Sequence, residues 1–232
     1  MERLPLETWI MGVPPITRYY TLSALILSLL VQCDILTPFQ LFFSWHTAFQ
    51  KAQYWRFATT FLFFGRLSID FLFHLFFMSR YSRMLEESYA RRTMEFAWMM
   101  LVMASGLLVL SPFASDPFLG SPLSFTLTYI WSRRHSAVEM SFLGLFNFSA
   151  AWLPAVLIGF SVVVNNRIPT ADILGLVVGH VYYFLEDVWP QYEASGGKHW
   201  LGCPSILKRL AGQVEEDAVV PLDENVPHVH VD

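Results

Sequence analysis

Six stretches of this chain are apolar for long enough to read as membrane-crossing helices, each of which needs roughly 20 mostly apolar residues. They cover about residues 16–31, 65–79, 96–110, 119–131, 142–164 and 173–188. Pro14-Pro15 precede the first, Ser111-Pro112 close the third and Trp189-Pro190 end the sixth, as expected where a missing backbone N–H starts or stops a helix. Residues 33–64 follow a different pattern. Phe39, Phe42, Phe43, Trp45, Phe49, Tyr54 and Trp55 are scattered there among few charges, which suits a segment lying in the lumenal interface of a membrane. Past the sixth stretch the chain turns polar, with Gly196-Gly197 and several acids and prolines. The pattern predicts an all-α membrane protein with six transmembrane helices over residues 1–190. Residues 191–232 read as a polar, largely flexible cytoplasmic tail.

Composition agrees. The 232 residues are 54% hydrophobic and 15% charged, whereas a soluble domain is about a quarter charged. A soluble globular domain and a disordered chain are both excluded. A net charge of −4 leaves no basic stripe for nucleic acid. Cys33 and Cys203 have neither metal-site nor disulfide spacing, and six spans would put them on opposite sides. Glu2 and Glu7 stand where a cleaved signal would carry basic residues, so the first span itself is expected to direct insertion.

Basic residues set the orientation. Arg3, Arg18, Arg80, Arg83, Arg91, Arg92, Arg133, Arg134, Lys198, Lys208 and Arg209 fall on one side of a six-span topology, 11 of the 15 basic residues. Lys51, Arg56 and Arg167 fall on the other, and Arg66 lies within the second span. N- and C-termini are therefore expected in the cytoplasm.

Ionisable groups at bilayer depth are costly and usually face protein or water. Arg66, Asp70 and His74 stand at i, i+4 and i+8, which predicts one polar helical face with an Arg66–Asp70 ion pair. It would either hold two helices together or wall a water-filled cavity open to the lumen. In the sixth span Gly175 and Gly179 form a Gly-xxx-Gly pair that lets another helix approach closely. His180, Glu186 and Asp187 follow toward its cytoplasmic end, where the acids would either meet arginines such as Arg133 or Arg134 or form a solvated helix end. Trp55-Arg56 end the aromatic segment; an indole suits the headgroup boundary, and a guanidinium suits loop carbonyls or lipid phosphate.

Catalytic chemistry is poorly represented. There is no Gly-x-Ser-Gly, His-Glu-x-x-His, intramembrane aspartate pair or phosphate-cradling loop, each of which supplies a specific nucleophile, metal or anion site. No cofactor or metal site is expected.

Longer strings are more specific. They are Pro14-Pro15-Ile16-Thr17-Arg18, Gln53-Tyr54-Trp55-Arg56, Asp70-Phe71-Leu72-Phe73-His74, Leu85-Glu86-Glu87, Tyr129-Ile130-Trp131-Ser132-Arg133-Arg134, Gly179-His180 and Phe184-Leu185-Glu186-Asp187. With six spans and a long interfacial loop, they resemble the Derlin family of rhomboid pseudoproteases, especially its Derlin-2-like branch, over about residues 8–210.

The resemblance implies a rhomboid-like fold in a multi-pass protein of the endoplasmic reticulum membrane. The implied role is to help misfolded proteins back to the cytosol for ubiquitin–proteasome degradation. The implied partners are misfolded clients, an HRD-type membrane ubiquitin ligase, a valosin-containing AAA ATPase, membrane lipids and homo- or hetero-oligomers. Trp55-Arg56 and Gly175/Gly179 match the family's Trp-Arg and Gly-xxx-Gly motifs. At the serine and histidine positions of active rhomboids stand Gly120 and Asp172, so both catalytic positions read as vacant. Ser121 is one step off, on another helix face. The tail reads Gln213-Val214-Glu215-Glu216-Asp217 in place of the family's Phe/Gly box, so direct ATPase contact through it is not expected. A six-helix solute or ion transporter, with Arg66, Asp70 and His74 as a relay, is the alternative. The two halves show no internal repeat of the kind transporters usually carry.

Overall fold

In the computed structural model, residues 12–90, 92–113, 117–142, 146–166, 169–192, 196–197 and 199–210 are described. The side chains of Asp70, Phe142, Phe146, Val164, Asn165, Arg209 and Leu210 lie outside that description. Helix α1 is Pro15–Gln32, and three short helices follow: α2 Pro38–Leu41, α3 Trp45–Gln50 and α4 Arg56–Leu62. Then come α5 Ile69–Ser88, α6 Thr93–Leu110 and α7 Gly120–Arg134. Strands β1 Glu139–Phe142 and β2 Phe146–Ser149 pair as an antiparallel hairpin. Helix α8 is Leu153–Asn165, α9 is Thr170–Tyr183 with a π-helical turn Phe184–Val188, and α10 is Ser205–Leu210.

Helix α7 is the axis. Every residue from Pro122 to Ser132 is buried, and α5, α6, α8 and α9 all pack on it. Three of its buried hydroxyls bond to its own turns: Thr126 donates to the Pro122 carbonyl at 2.8 Å, Thr128 to Ser124 O at 2.9 Å and Ser132 to Tyr129 O at 2.7 Å. Such bonds let serine and threonine sit in an apolar helix. Among the described residues, only Thr93–Phe113 is long and apolar enough to cross a membrane on those two criteria alone.

The first two long helices are joined by a carboxylate. A helix N-terminus leaves its first N–H groups without partners and carries partial positive charge. At α1 these are taken by Glu86 of α5, 3% exposed, which accepts from Ile16 N at 2.9 Å, Thr17 N at 2.8 Å and Thr17 Oγ1 at 2.7 Å. The Pro-x-Ile-Thr-Arg and Leu-Glu-Glu strings thus meet across 69 residues of chain.

The structure moves several predicted boundaries. The second helix starts at Ile69, behind the Ser68 cap that accepts from Phe71 N at 3.1 Å. The aromatic run before it forms the separate helix α4, and the chain turns at Gly65, whose φ of +111° an L side chain rarely adopts. Arg66 is therefore outside the helix and shares no helical face with Asp70 and His74. It lies 3.7 Å from Asp34 in an exposed pair, which contributes little. The expected Arg66–Asp70 pair involves a side chain outside the described ones. The fifth predicted span begins as the β1–β2 hairpin, and its helix starts only at Leu153, with Pro154 in the first turn. The second long helix has 20 residues; the short ones are α7 with 15, α8 with 13 and α9 with 14 before its π-helical turn. Residues 33–64 contain three short helices, α2, α3 and α4. Part of the tail is docked: Trp98 Nε1 donates to Leu201 O at 2.8 Å, and Lys208 pairs with Glu95 at 3.1 Å. The last part of the tail, 211–232, lies outside the described residues.

Glu86→Ala removes both acceptor oxygens, and with them three hydrogen bonds, from a buried helix end, at about 1–3 kcal/mol for each stranded donor. A thermal melt in mild detergent should fall by several degrees. Glu87→Ala, whose side chain is 48% exposed, should melt close to the unaltered protein.

Candidate functional site

Helices α7 and α9 pack backbone to backbone. A Cβ added at Gly175 would overlap the Pro122 carbonyl oxygen and stand 3.0 Å from Pro122 Cα. One added at Gly179 would stand 3.1 Å from Tyr129 Cδ1 and 3.3 Å from Thr126 O. Thr126 Oγ1 bridges the pair, with the Gly175 carbonyl 2.9 Å away. Next to Gly179, His180 Nδ1 is 2.6 Å from Tyr129 OH. Gly120 is glycine for a related reason: a Cβ there would lie 2.8 Å from Phe61 O and 3.1 Å from Phe63 O. The backbone leaving α4 fills the space a side chain would need.

That register sets Asp172, three residues before Gly175, beside Ser121 at the start of α7. Ser121 Oγ donates to Asp172 Oδ1 at 2.5 Å and is 3.3 Å from His74 Nδ1. Asp172 is 5% exposed and lies in the first turn of α9, where the helix dipole favours a negative charge. The serine set aside in the sequence as facing elsewhere thus joins α5 and α9. No spacing rule could have found it, because its partners come from two other helices.

A cavity of about 300 Å³ opens beside this cluster. Its walls are Phe73, His74 and Phe77 of α5, Ser124 and Thr128 of α7, Leu157, Phe160 and Ser161 of α8, and Asp172 of α9. On its walls α5 meets α8 through Phe73 and Phe160, with ring centroids 5.8 Å apart and ring planes at 71°. A second cavity of about 220 Å³ shares Phe73, Phe77 and Phe160 and continues toward Arg80 and Met140.

The other predicted residues lie away from this cavity. Arg56, 7% exposed, donates to Phe39 O at 2.8 Å, Phe42 O at 2.7 Å and Gln53 Oε1 at 2.6 Å. Of its two expected acceptors it takes the loop carbonyls, folding α2 against α4. Trp55 is 56% exposed. At the far end of α7, Arg134 holds Asp187 with 3.1 Å contacts from both Nε and Nη2 and reaches Tyr89 OH at 3.1 Å. Arg133 instead packs over the Tyr129 ring. Glu186 meets His199 at 3.2 Å rather than an arginine.

A cavity walled by four helices, each contributing at least one polar side chain, with the Phe73–Phe160 pair among its walls, defines a mostly helical protein with an internal site. The model of the Der1-like family matches residues 13–205. Derlin-2.2 of Zea mays is 39% identical over 216 residues, covering 88% of this chain and 85% of that protein. Derlin-2 of Oryza sativa matches to the same extent, and Derlin-2.2 of Arabidopsis thaliana is 38% identical over 232 residues, 95% of this chain and 93% of that one. The chain therefore belongs to the Der1-like family, which is a family of membrane proteins.

Gly175→Ala and Gly120→Ala each force a methyl into backbone, an overpacking cost of about 1–3 kcal/mol. Both should lower the detergent melting point and broaden the gel-filtration peak. Gly159→Ala on α8 meets nothing within 4 Å and should leave both readouts unchanged.

Proposed function

We propose that this protein is a non-catalytic, multi-pass component of the endoplasmic reticulum membrane that helps misfolded proteins return to the cytosol for ubiquitin–proteasome degradation. The observation that carries this reading is the cavity that α5 and α8 wall together with α7 and α9, with polar groups inside and the Phe73–Phe160 pair between α5 and α8. An extended chain cannot cross intact hydrocarbon, because each unpaired backbone group costs several kcal/mol there. A lateral opening with Ser124, Thr128, Ser161, His74 and Asp172 on its walls offers such groups partners.

The six long helices serve as the spans, with both termini cytoplasmic. At a rise of 1.5 Å per residue, α7 and α8 are roughly 22 and 20 Å long, short of a hydrocarbon core of about 30 Å. Short spans thin the bilayer around them, which lowers the same barrier. The non-catalytic reading rests on Gly120 and Asp172. Ser121 is already committed as a donor to a carboxylate, and a carboxylate at a helix N-terminus is a weak base for an alcohol. The HRD-type ligase supplies ubiquitin transfer, and the AAA ATPase is recruited by a partner of this protein rather than by its tail.

Ser161→Trp fills the cavity and should lengthen the half-life of a misfolded client about twofold or more in a cycloheximide chase, as expected when a gating step slows. Val163→Trp, on the same helix and 81% exposed, should leave it unchanged. Equal half-lives for the two variants, at normal protein levels, would rule out the cavity as the passage.

A further inference from the structure

We infer that the second cavity, between α5, α8 and the β1–β2 hairpin, binds an anionic phospholipid, with Arg80 taking the headgroup phosphate and the aromatic walls taking an acyl chain. This rests on the membrane placement proposed above and not on the passage of clients. The cavity of about 220 Å³ is walled by Phe73, Phe76 and Phe77 of α5, Phe148 of β2, and Leu153 and Phe160 of α8, with Arg80 beside them. No carboxylate is among its described lining residues.

The neighbouring arginines are engaged within the protein. Arg83, three residues further along α5, holds Glu87 at 2.7 Å, and Arg134 holds Asp187 at 3.1 Å. Arg133 stands over the Tyr129 ring and donates to its hydroxyl at 3.1 Å. Arg80 has the Phe76 ring, 6.0 Å from its guanidinium carbon, and pairs with no carboxylate among the described residues. A ring face attracts the cation but leaves the in-plane N–H donors for an anion or water. The planar fork of those donors matches a phosphate.

The position suits a headgroup. The hairpin follows the end of α7 that carries Arg133 and Arg134, the end proposed to face the cytoplasm. Arg80 and Phe76 are exposed, so the cavity reaches the outer surface of the bundle there. Away from Arg80 it runs toward the larger cavity, with which it shares Phe73, Phe77 and Phe160. Each cavity alone is small for a ligand site. End to end they fit a long, thin acyl chain, whereas a helix about 10 Å across is too wide. The chain itself gains little by leaving lipid for an apolar groove, so the phosphate contact sets the preference. A zwitterionic headgroup brings an ammonium for which the lining offers no carboxylate; an anionic one without an ammonium brings no such cost.

The test uses the full-length protein in mild detergent, with native mass spectrometry counting bound lipid. Dioleoyl phosphatidylglycerol should be retained about tenfold more than dioleoyl phosphatidylcholine, the scale of one charge-assisted bond. Arg80→Gln should abolish that preference, and Arg83→Gln should keep it. Glycerol 3-phosphate and inorganic phosphate in excess should not displace the lipid. Equal retention of the two lipids overturns the inference, as does a preference that survives Arg80→Gln. Displacement by either soluble phosphate overturns the acyl-chain groove and makes the ligand a free phosphate. The comparison of lipids uses the unaltered protein, so it stands even where the variant fails to fold. Release of the protein from microsomes by sodium carbonate would overturn the membrane placement and this site together. A protein that stays in the membrane yet shows no lipid preference overturns the site alone.

Discussion

The backbone of α9 rests on the backbone of α7 at Gly175, and the arrangement of the functional residues depends on that contact. Helices in lipid gain nothing from excluding an apolar solvent, so close packing and hydrogen bonds must hold them. Gly175 and Gly179 supply the close packing, and the Thr126 hydroxyl between the Pro122 and Gly175 carbonyls supplies the bond. The register this fixes carries Asp172 to Ser121 at one end and His180 to Tyr129 further along. At the other end of α7, Arg134 and Asp187 close the same helix pair. Helix α8 also packs on α7, yet it meets α5 across the Phe73–Phe160 rings. A tight pair beside a loose one leaves the cavity.

Charge is used sparingly and mostly to tie backbone ends. Glu86 caps α1, and Arg56 gathers carbonyls of the aromatic segment. Both are ionisable groups with several hydrogen bonds each, the condition under which burial is tolerated. Asp172 differs in kind, because it lines a cavity.

Much of this was legible in the sequence. The apolar stretches fall on the long helices, and the Gly-xxx-Gly pair and Trp-Arg string sit at close backbone contacts and a loop clamp, as their chemistry suggests. The misses have physical causes. Apolar periodicity cannot separate a short helix from the one after it, so the run through Phe64 hid the turn at Gly65 and put Arg66 on the wrong element. It also cannot tell an apolar hairpin from the start of a helix, which is how residues 142–149 were absorbed into the fifth span. Ser121 was set aside by helix-face reasoning relative to Gly120. That reasoning is sound within one helix and blind to His74 and Asp172 arriving from two others.

The central claim is that clients pass between α5 and α8, so the most direct measurement is to lock those helices together. Phe73→Cys and Phe160→Cys, with Cys33→Ser and Cys203→Ser, allow a short cleavable thiol cross-linker to bridge α5 and α8 in isolated microsomes. The locked protein should stop exporting a misfolded lumenal client, and cleaving the linker should restore export. Export that continues at its ordinary rate with the helices locked would contradict the account.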